Sequence, residues 1–446
     1  TGSNTAWIKA GNGSIYYYDD TANIAIFNMQ TTNMYEAFRN NQTITKAACG
    51  PNVTEMGSAY EDCHNLTGSP VCGNNVTNMS SAYYNCISLT GSSVCGNNVE
   101  MMDWTYCNCR NLTGNPACGP NVISMAYTYY NCTGLTGSPV CENNVTNMYG
   151  TYRGCENLTG KPACGPNVTS MHSTYRGCYN LTGSPVCGPN VTIMLYAYDD
   201  CTRLTGNPVC GDNVTDMSWA YESCASLTGS PVCGNNVTNM QGTYWYCSNL
   251  TGNPVCGNNV IDMCQTYESC TSLTGNPVCG DKVTNMNCTY VLCTSLTGNP
   301  VCGPNVTDMT SAYEHCKNLT GSPVCGDNVT TMSFAYAGCE SLTGLPACGP
   351  NVTDMYATYR GCKNLTGAPV CGNNVTNMHL TYYNCTNLGS NGYFYSNKIA
   401  NVCNCFASRN TRERLNLYVP ANSTTLTTCL STTSATSLTG GSITWT

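Results

Sequence analysis

A segment of 23 residues repeats along most of this chain without a gap, and it limits the possible folds more than any other feature. One clean copy begins at Cys63 and reads CHNLTGSPVCGNNVTNMSSAYYN. Leu, Val, Met, Tyr and two Cys return at fixed places in each copy. Repeats of this length are typical of solenoids, in which one repeat cannot bury its apolar face alone. We therefore expect stacked coils around a core column of these six side chains.

The spacing inside one repeat predicts the path of each coil. Val76, Met79, Tyr83 and Cys86 are separated by steps of three, four and three residues, which is typical of a helical or 3₁₀ stripe. The other half, residues 66–72, reads LTGSPVC and predicts a short extended segment in which the proline limits pairing between coils. We expect short parallel strands on one side and helical or 3₁₀ turns on the other. An all-β solenoid is the alternative, because Asn-Val-Thr-Asn-Met can also be extended.

The repeat resembles a known family. Its pattern C-x-x-L-T-G-x-P-V-C-G-x-N-V-T-x-M-x-x-[AT]-Y, over residues 41–388, is similar to the BspA-type leucine-rich repeats of bacterial and protozoan surface proteins, and to related repeats of bacterial lipoproteins and some phage tail proteins. The resemblance implies a curved right-handed solenoid used for adhesion or recognition and not for catalysis. Two departures stand out: Tyr60 and Tyr83 replace the usual Phe, and a second cysteine follows Val71.

The repeat also predicts the domain organisation. We expect an N-terminal cap at 1–40, a solenoid of about fifteen repeats at 41–388, and a C-terminal cap or tail at 389–446. The period fails after Leu388, and the segment RLNLYVP near the C-terminus predicts a final edge strand. The chain begins at Thr1 without an initiator Met, so we expect a processed or trimmed product.

Charge excludes some partners. Charged residues make up 9% of the chain, and the net charge is −8. Nucleic-acid binding proteins need a basic surface, so we expect no nucleic-acid partner. No run of about twenty apolar residues occurs, so we expect no membrane span.

The chain has 36 cysteines, a density typical of oxidising compartments. We therefore expect an extracellular, cell-surface or virion-surface protein. Most of the cysteines form two ladders, series that recur every 23 residues through Cys63 and through Cys72. In one interpretation these ladder cysteines form disulfides, with candidates Cys63, Cys72, Cys86 and Cys95, and Cys264 with Cys288 as a separate pair. In the other they are small buried apolar side chains. We favour disulfides, because two full ladders exceed what core filling requires.

No catalytic motif is present, and we expect no enzyme, no cofactor and no metal site. The four histidines share no repeat position and are interpreted as exposed substitutions rather than general bases. Asp216, Asp262, Asp308 and Asp354 share the place before Met and could bind calcium, but a turn cap or a surface polar group is the interpretation we favour.

Asn-x-Ser/Thr sequons are abundant. Asn52 and Asn75 belong to the Asn-Val-Thr set, whose side chains we expect to be engaged as caps. The Asn-Leu-Thr set lies at a variable place that we expect to be exposed. Its asparagines are the candidate glycan acceptors if the source glycosylates secreted chains. They are Asn65, Asn111, Asn157, Asn180, Asn249, Asn318 and Asn364.

Three places in each repeat vary freely: the pairs after Met, after Tyr and after the first cysteine. Exposed Trp, Tyr and Arg are enriched in recognition surfaces. Neutral drift explains any single one of them better, but the group predicts a binding face. The candidate binding residues are Trp104, Tyr130, Arg153, Arg176, Trp219, Trp245, Tyr246 and Arg360.

These observations favour an adhesion or recognition solenoid without catalytic activity, displayed outside the cell or on a virion. Its partner would be a protein or glycan of a host surface. The alternative is a structural subunit of an extracellular fibre, a filament or a phage tail fibre, in which copies of the chain bind end to end.

Overall fold

The structure is a computed structural model that describes residues 30–389, 391–402 and 404–406, together with the backbone of five short strands near the chain ends. The chain divides into two compact units, Thr1–Leu227 and Thr228–Thr446. Within each unit, the described repeats form stacked coils, one coil for each repeat. The repeat architecture predicted from the period is therefore confirmed at this level.

Within each unit, each coil bonds to the next through the segment that runs from Met past Tyr. In the first unit, the amides of Met56, Ser58 and Tyr60 donate to carbonyls of the following coil at 2.8–2.9 Å. The intervening amides bond inside their own coil, as Ala59 does to the Met56 carbonyl at 3.0 Å. Every second peptide group in this segment thus points along the stack, and the rest close tight turns.

Two residues in each such segment have a left-handed backbone. They lie two places after Met and two places after Tyr, as Ser58 (φ 51°) and Asp62 (φ 59°) show. A left-handed residue cannot continue a right-handed helix. The expected helical or 3₁₀ turns are therefore absent: among the described residues no helix occurs, and these segments are series of turns. The all-β alternative is closer to the structure, although its strands are mostly single bridges.

The parallel bridges lie in a different place from the one predicted. In the first unit they join the residues directly before Met, such as Asn78 with Glu55 and Met101. In the Leu-Thr-Gly half, one isolated bridge among the described residues joins Ser92 and Thr113, next to Ser93, which stands where most repeats have proline. Proline has no amide to donate, so the half that we predicted to be a strand pairs little.

The core of each unit matches the predicted columns. In the first unit, Val76, Met79, Tyr83, Cys86 and Leu89 have no exposed surface, and their counterparts in the other coils are equally buried. The tyrosine rings of adjacent coils stack with centroids 5.4–5.6 Å apart. The second unit repeats this arrangement with its own tyrosines. Burial of apolar surface on this scale is the main stabilising contribution in such a fold.

Short sheets lie near both chain ends. In the first unit, β1 (Trp7–Lys9), β2 (Ile15–Asp19) and β3 (Ile24–Phe27) form an antiparallel sheet in that order. In the second unit, β4 (Val370–Cys371), β5 (Asn391–Phe394), β6 (Asn416–Val419) and β7 (Ser442–Trp445) form a parallel sheet. The segment RLNLYVP does contain a strand, β6, but β7 pairs with it, so β6 is not the final strand.

The coil pattern continues beyond the predicted end of the array. Asn401 bridges to Asn377, and the Met378 amide donates to the Asn401 carbonyl at 2.7 Å. Phe406 stacks on Tyr382 with centroids 5.6 Å apart. Residues 401–402 and 404–406 therefore continue the coil pattern, at a step of 24 rather than 23 residues. The cap boundaries at 1–40 and 389–446 otherwise remain predictions.

The predicted disulfides are absent. All cysteines in the described part of the chain are free thiols, including the six disulfide candidates. The thiol of Cys63 donates to the Phe38 carbonyl of the preceding coil at 3.0 Å, whereas the thiol of Cys72 faces the Gly73 carbonyl at 3.5 Å. Cys264 and Cys288 are half-buried and are also unbonded to each other. The thiols of the buried series, which includes Cys63 and Cys86, donate hydrogen bonds to the preceding coil. This role was not predicted from the sequence. We call this series the inner ladder.

Candidate ligand-binding surfaces

Large side chains of the first unit form a strip on six successive coils. We call it the aromatic strip: each member lies one or two places after Met. Its members are Trp104, Tyr127, Tyr149, His172, Tyr196 and Trp219.

Neighbouring rings of the aromatic strip contact each other. Trp104 stacks on Tyr127 with centroids 4.0 Å apart, and Tyr127 meets Tyr149 edge to face at 4.8 Å. Tyr149 meets the ring of His172 at 4.4 Å. Tyr196 follows His172 at 6.5 Å, and Trp219 lies parallel to Tyr196 at 6.2 Å. The strip is therefore continuous, and its rings are half-buried, with Trp104 the most exposed at 37%.

Backbone geometry shows how the strip is built. Four of its members, among them Trp104 (φ 59°) and Trp219 (φ 55°), occupy the left-handed place after Met, where Gly150 and Gly242 also stand. A Cβ at Gly150 would lie 2.7 Å from the Tyr127 ring. The glycine leaves room for that ring, and this coil carries its own aromatic residue one place earlier, at Tyr149.

Two arginines flank the strip. The guanidinium of Arg153 lies 5.5 Å from the Tyr130 ring centroid, and that of Arg176 lies 4.5 Å from the Tyr196 ring centroid. Both contacts are within the range of cation–π attraction. Arg176 Nε is also 2.8 Å from the buried carboxylate of Asp199. This arginine is thus held in place between an aromatic ring and an acid.

Asp199 is 1% exposed. Burial raises the pKa of Asp199 to about 7, the Glu222 carboxylate adds to the increase, and the Arg176 guanidinium opposes it. Burial also raises the pKa of Glu222. A carboxyl group that titrates near neutral pH therefore lies beside the strip. Burial, followed by the positive charge of Arg153, lowers the pKa of His172 and so favours the neutral form of the ring in the middle of the strip.

The structure brings together some of the predicted binding residues and separates others. Trp104, Tyr130 and Arg153 meet around Tyr127, since Tyr130 contacts the Tyr127 ring at 5.8 Å. Arg176 and Trp219 meet around Tyr196. In the second unit, Trp245 and Tyr246 form a pair of their own at 5.1 Å, and Arg360 lies elsewhere, 5.9 Å from the Tyr383 ring centroid.

Sequence reasoning missed four members of the strip: Tyr127, Tyr149, His172 and Tyr196. The signal was present, because six successive repeats carry an aromatic ring one or two places after Met. Treating His172 as an isolated substitution hid this regularity. The strip is also hard to see in the sequence because its rings come from two positions, one residue after Met and two residues after Met.

The two sets of sequon asparagines behave alike. The side-chain amide of Asn75 donates to the Pro51 carbonyl at 2.9 Å, as expected for an engaged side chain. Asn65 and Asn111 of the Asn-Leu-Thr set are exposed, yet their amides also donate to the preceding coil, at 2.7 and 2.9 Å. The distinction drawn from sequence therefore has no geometric basis, and glycosylation of either set stays a prediction.

The aspartates considered for calcium act as turn residues. Asp216 Oδ1 accepts from the Ser218 amide at 2.9 Å, and Asp262 Oδ1 accepts from the Cys264 amide at 2.8 Å. Across residues 30–406, with 390 and 403 apart, no three His, Cys, Asp or Glu side chains are grouped so that they could hold a metal ion. In the same part of the chain, no helix is long and apolar enough to cross a membrane.

Comparison with solved structures finds four similar chains, and two of them are described here. No family model and no curated protein matches the chain. A leucine-rich repeat protein from Bacteroides ovatus is 13% identical over 100% of this chain and 99% of its own length, with a TM-score of 0.49. A leucine rich cell surface protein from Faecalibacterium prausnitzii is 16% identical over 87% of this chain and 94% of its own, with a TM-score of 0.38. Similarity this low transfers no residue role.

Proposed function

We propose that this protein is a non-catalytic recognition protein that binds an extracellular protein or glycan through the aromatic strip of its first unit. One observation carries the proposal: six successive coils bring aromatic rings into one continuous, partly exposed strip. Exposed aromatic side chains of this kind are enriched in recognition surfaces.

The chemistry of the strip supports this function. Aromatic side chains contribute large contact areas at a low cost in conformational entropy, and they dominate the affinity of many interfaces. The strip presents ring edges from successive coils, with Arg153 and Arg176 beside them. An extended ligand that lies across several coils would contact one ring in each. Its affinity would be the sum of many weak contacts on a rigid support.

A binding screen tests the proposal. The wild-type protein would be applied to arrays of glycans and extracellular-matrix proteins, beside a variant with Trp104→Ser, Tyr127→Ser, Tyr196→Ser and Trp219→Ser. Serine is a suitable replacement, because Ser58 and Ser81 occupy the same left-handed place in other coils. Ile87→Ala is the matched control, since Ile87 is an exposed apolar residue outside the strip, at 40% exposure.

We expect the wild-type protein and the control to bind at least one common array ligand. The fourfold variant should bind this ligand with an affinity at least about tenfold lower. Equal binding by the fourfold variant would contradict the proposal. Imaging of the same preparation addresses the fibre alternative: filaments that persist in the fourfold variant would favour a structural subunit instead. The proposed location outside the cell rests on the repeat resemblance, since the disulfides that also suggested it are not formed.

A further inference from the structure

A cavity of about 310 Å³ opens on the second unit, and its lining comes from four successive coils. The first three coils contribute residues just after the core tyrosine and just after the buried cysteine, and the fourth contributes only residues after its tyrosine. The lining side chains that matter here are Glu314, Lys317, Glu340, Arg360, Lys363 and Tyr383. Ligand sites in proteins begin at roughly this size, which suits one small molecule or one unit of a larger one.

Two glycines create the hollow. Gly338 and Gly361 occupy the left-handed place after Tyr in adjacent coils, with φ of 74° and 77°. A Cβ at Gly361 would have only Gly338 nearby, at 3.8 Å or more, so space above the backbone is open there, whereas the His315 ring lies over Gly338. Most other coils carry Asn, Asp or Ser at this place, as Asn384 does in the next coil. The open backbone at Gly361 and the His315 ring beside it form the floor of the cavity.

The charge of the cavity is unusual for this chain. Only 16 of its 446 residues are Lys or Arg, yet Lys317, Arg360 and Lys363 line this one cavity. Lys363 pairs with Glu340 at 2.9 Å, and hydrogen bonding by Lys363 lowers the pKa of Glu340. In the part of the chain that the structure describes, neither Arg360 nor Lys317 forms an ion pair. Two cations therefore remain available to a ligand.

A related site in the first unit shows what differs. The sequence Tyr-Arg-Gly-Cys occurs at residues 152–155, 175–178 and 359–362. Arg176 pairs with Asp199 at 2.8 Å, whereas in the described part of the chain the guanidinium groups of Arg153 and Arg360 contact aromatic rings and form no ion pair. Arg360 is therefore free of a carboxylate partner, and it lines a hollow that also contains Lys317 and Lys363.

These features define the ligand. Three cations against the carboxylates of Glu314 and Glu340 leave one net positive charge, which matches a monoanion and not a phosphate dianion. The two carboxylates can accept hydrogen bonds from hydroxyl groups, and Tyr383 offers an apolar ring face beside a polar tip. We propose that this cavity binds a sugar that carries one carboxylate, with the carboxylate between Arg360 and Lys317 and the hydroxyls towards Glu340.

Binding of three probes tests this assignment. Glucuronic acid, neutral glucose and inorganic phosphate would be titrated into the full chain at low ionic strength, because salt screens exposed charges. Calorimetry or saturation-transfer NMR would give the affinity. We expect glucuronate to bind with a Kd on the order of 1 mM, and glucose and phosphate to bind at least about tenfold more weakly.

Variants locate the site. Arg360→Ala and Lys317→Thr introduce residues found at the same places in other coils, Ala337 and Thr294, so the fold tolerates them. Gly361→Asn fills the floor with a residue that accepts a left-handed backbone. We expect each of the three to weaken glucuronate binding about tenfold or more. Lys282→Asn is the matched control: it removes one exposed cation of the second unit, and Asn259 and Asn305 occupy its place in adjacent coils.

Several results would overturn the assignment. They are the absence of glucuronate binding, equal binding of glucose, tighter binding of phosphate, unchanged binding by Arg360→Ala, or an equal loss in Lys282→Asn. Near-UV circular dichroism would confirm that each variant is folded. The cavity shares no residue with the aromatic strip, so its failure and the failure of the proposed function are distinguishable.

Discussion

The hydroxyl of Tyr83 donates to the carbonyl of Val71 at 2.7 Å and accepts from the amide of the same residue at 3.0 Å. The tyrosine ring crosses the core, and its tip satisfies both backbone groups of a residue in the opposite wall of the coil. Tyr60 with Ala48 and Tyr267 with Val255 repeat the arrangement. It explains why this chain has tyrosine where the resembling repeats have phenylalanine. Proline interrupts pairing in that wall, and the hydroxyl supplies the missing hydrogen bonds.

Tyr83→Phe should therefore loosen the wall at Val71. The change removes one hydroxyl and leaves a backbone donor and an acceptor without their partner. An unsatisfied buried polar group costs about 1–3 kcal/mol. We expect hydrogen exchange of the Val71 amide to become at least tenfold faster, while the amides of distant coils keep their rates.

Tyr179→Phe is the control for this experiment, because Tyr179 is exposed at 42% and lies outside the core column. It should leave exchange at Val71 unchanged. An unaltered Val71 rate in Tyr83→Phe would show that the hydroxyl contributes nothing to the wall.

Alkaline pH should unfold the coils cooperatively. Burial raises the pKa of Cys49 to about 11 and of Cys95 to about 12, from 9.0, and it raises the pKa of Tyr83 well above 10.0. Groups whose pKa is higher in the folded state stabilise it fully below their unfolded pKa, and this contribution is lost as the pH rises towards the folded value. Stability should thus fall from about pH 9 upwards. Phenolate absorbance should appear together with the loss of circular dichroism, and earlier ionisation of the core tyrosines in folded protein would contradict the account.

Thiol counting should find the cysteines reduced. The structure has 34 free thiols in its described part, and the inner ladder donates hydrogen bonds through them, as Cys86 does to the Tyr60 carbonyl at 3.0 Å. In denaturant without reductant, we expect at least 34 thiols to react. In folded protein at about pH 8, most should react slowly, because the thiolate is the reactive form and burial disfavours it. A denatured count near zero would show that disulfides replace these hydrogen bonds.

Asp199→Asn should change the pH dependence of the first unit. The pKa of Asp199 is raised from 3.8 to about 7, so its proton stabilises the folded state fully below about pH 4, and this contribution is lost as the pH rises to 7. The variant cannot lose a proton. We expect its free energy of unfolding, measured by denaturant melts at each pH, to fall less than that of wild type between about pH 5 and pH 8, by a difference on the order of 1 kcal/mol.

Asp327→Asn, an exposed change in the second unit, is the control and should keep the wild-type pH dependence. If Asp199→Asn and wild type showed the same pH dependence of stability, the buried carboxyl of Asp199 would not be the cause of that dependence.

The core could be predicted from the sequence, because a side chain that returns at every 23rd residue is one that stacks on its own copy. Val76, Met79 and Tyr83 lie where their period placed them. The path of the backbone could not be predicted. Steps of three and four residues fit a helix, but bonds between coils impose left-handed residues even at Trp104 and Leu380, whose side chains disfavour that conformation.

The aromatic strip could be predicted only in part, because contacts between neighbouring coils are not visible within one repeat. Trp104 and Trp219 attract attention as residue types, whereas Tyr149 and His172 gain meaning only when neighbouring coils bring their rings together. The hollow around Arg360 depends on glycines in adjacent coils and on the absence of a carboxylate such as Asp199. Neither is visible within one repeat.

Trp104→Gly should separate stability from binding. Stacking on Tyr127 contributes about 0.5–1.5 kcal/mol, and the left-handed backbone costs about 1–2 kcal/mol, so the two effects nearly cancel. We expect the free energy of unfolding to change by less than about 1 kcal/mol, while binding to the array ligand weakens. A large loss of stability would mean that the strip serves the fold instead of a ligand.

Oxidative footprinting of the aromatic strip tests the central claim most directly. Hydroxyl radicals would label the exposed side chains of the wild-type protein with and without the ligand found in the array screen, and mass spectrometry would measure the oxidation of each residue. We expect the ligand to protect Trp104, Tyr127, Tyr196 and Trp219 and to leave Tyr246 of the second unit unchanged. Protection confined to residues outside the strip, with its rings oxidised equally in both samples, would contradict the claim.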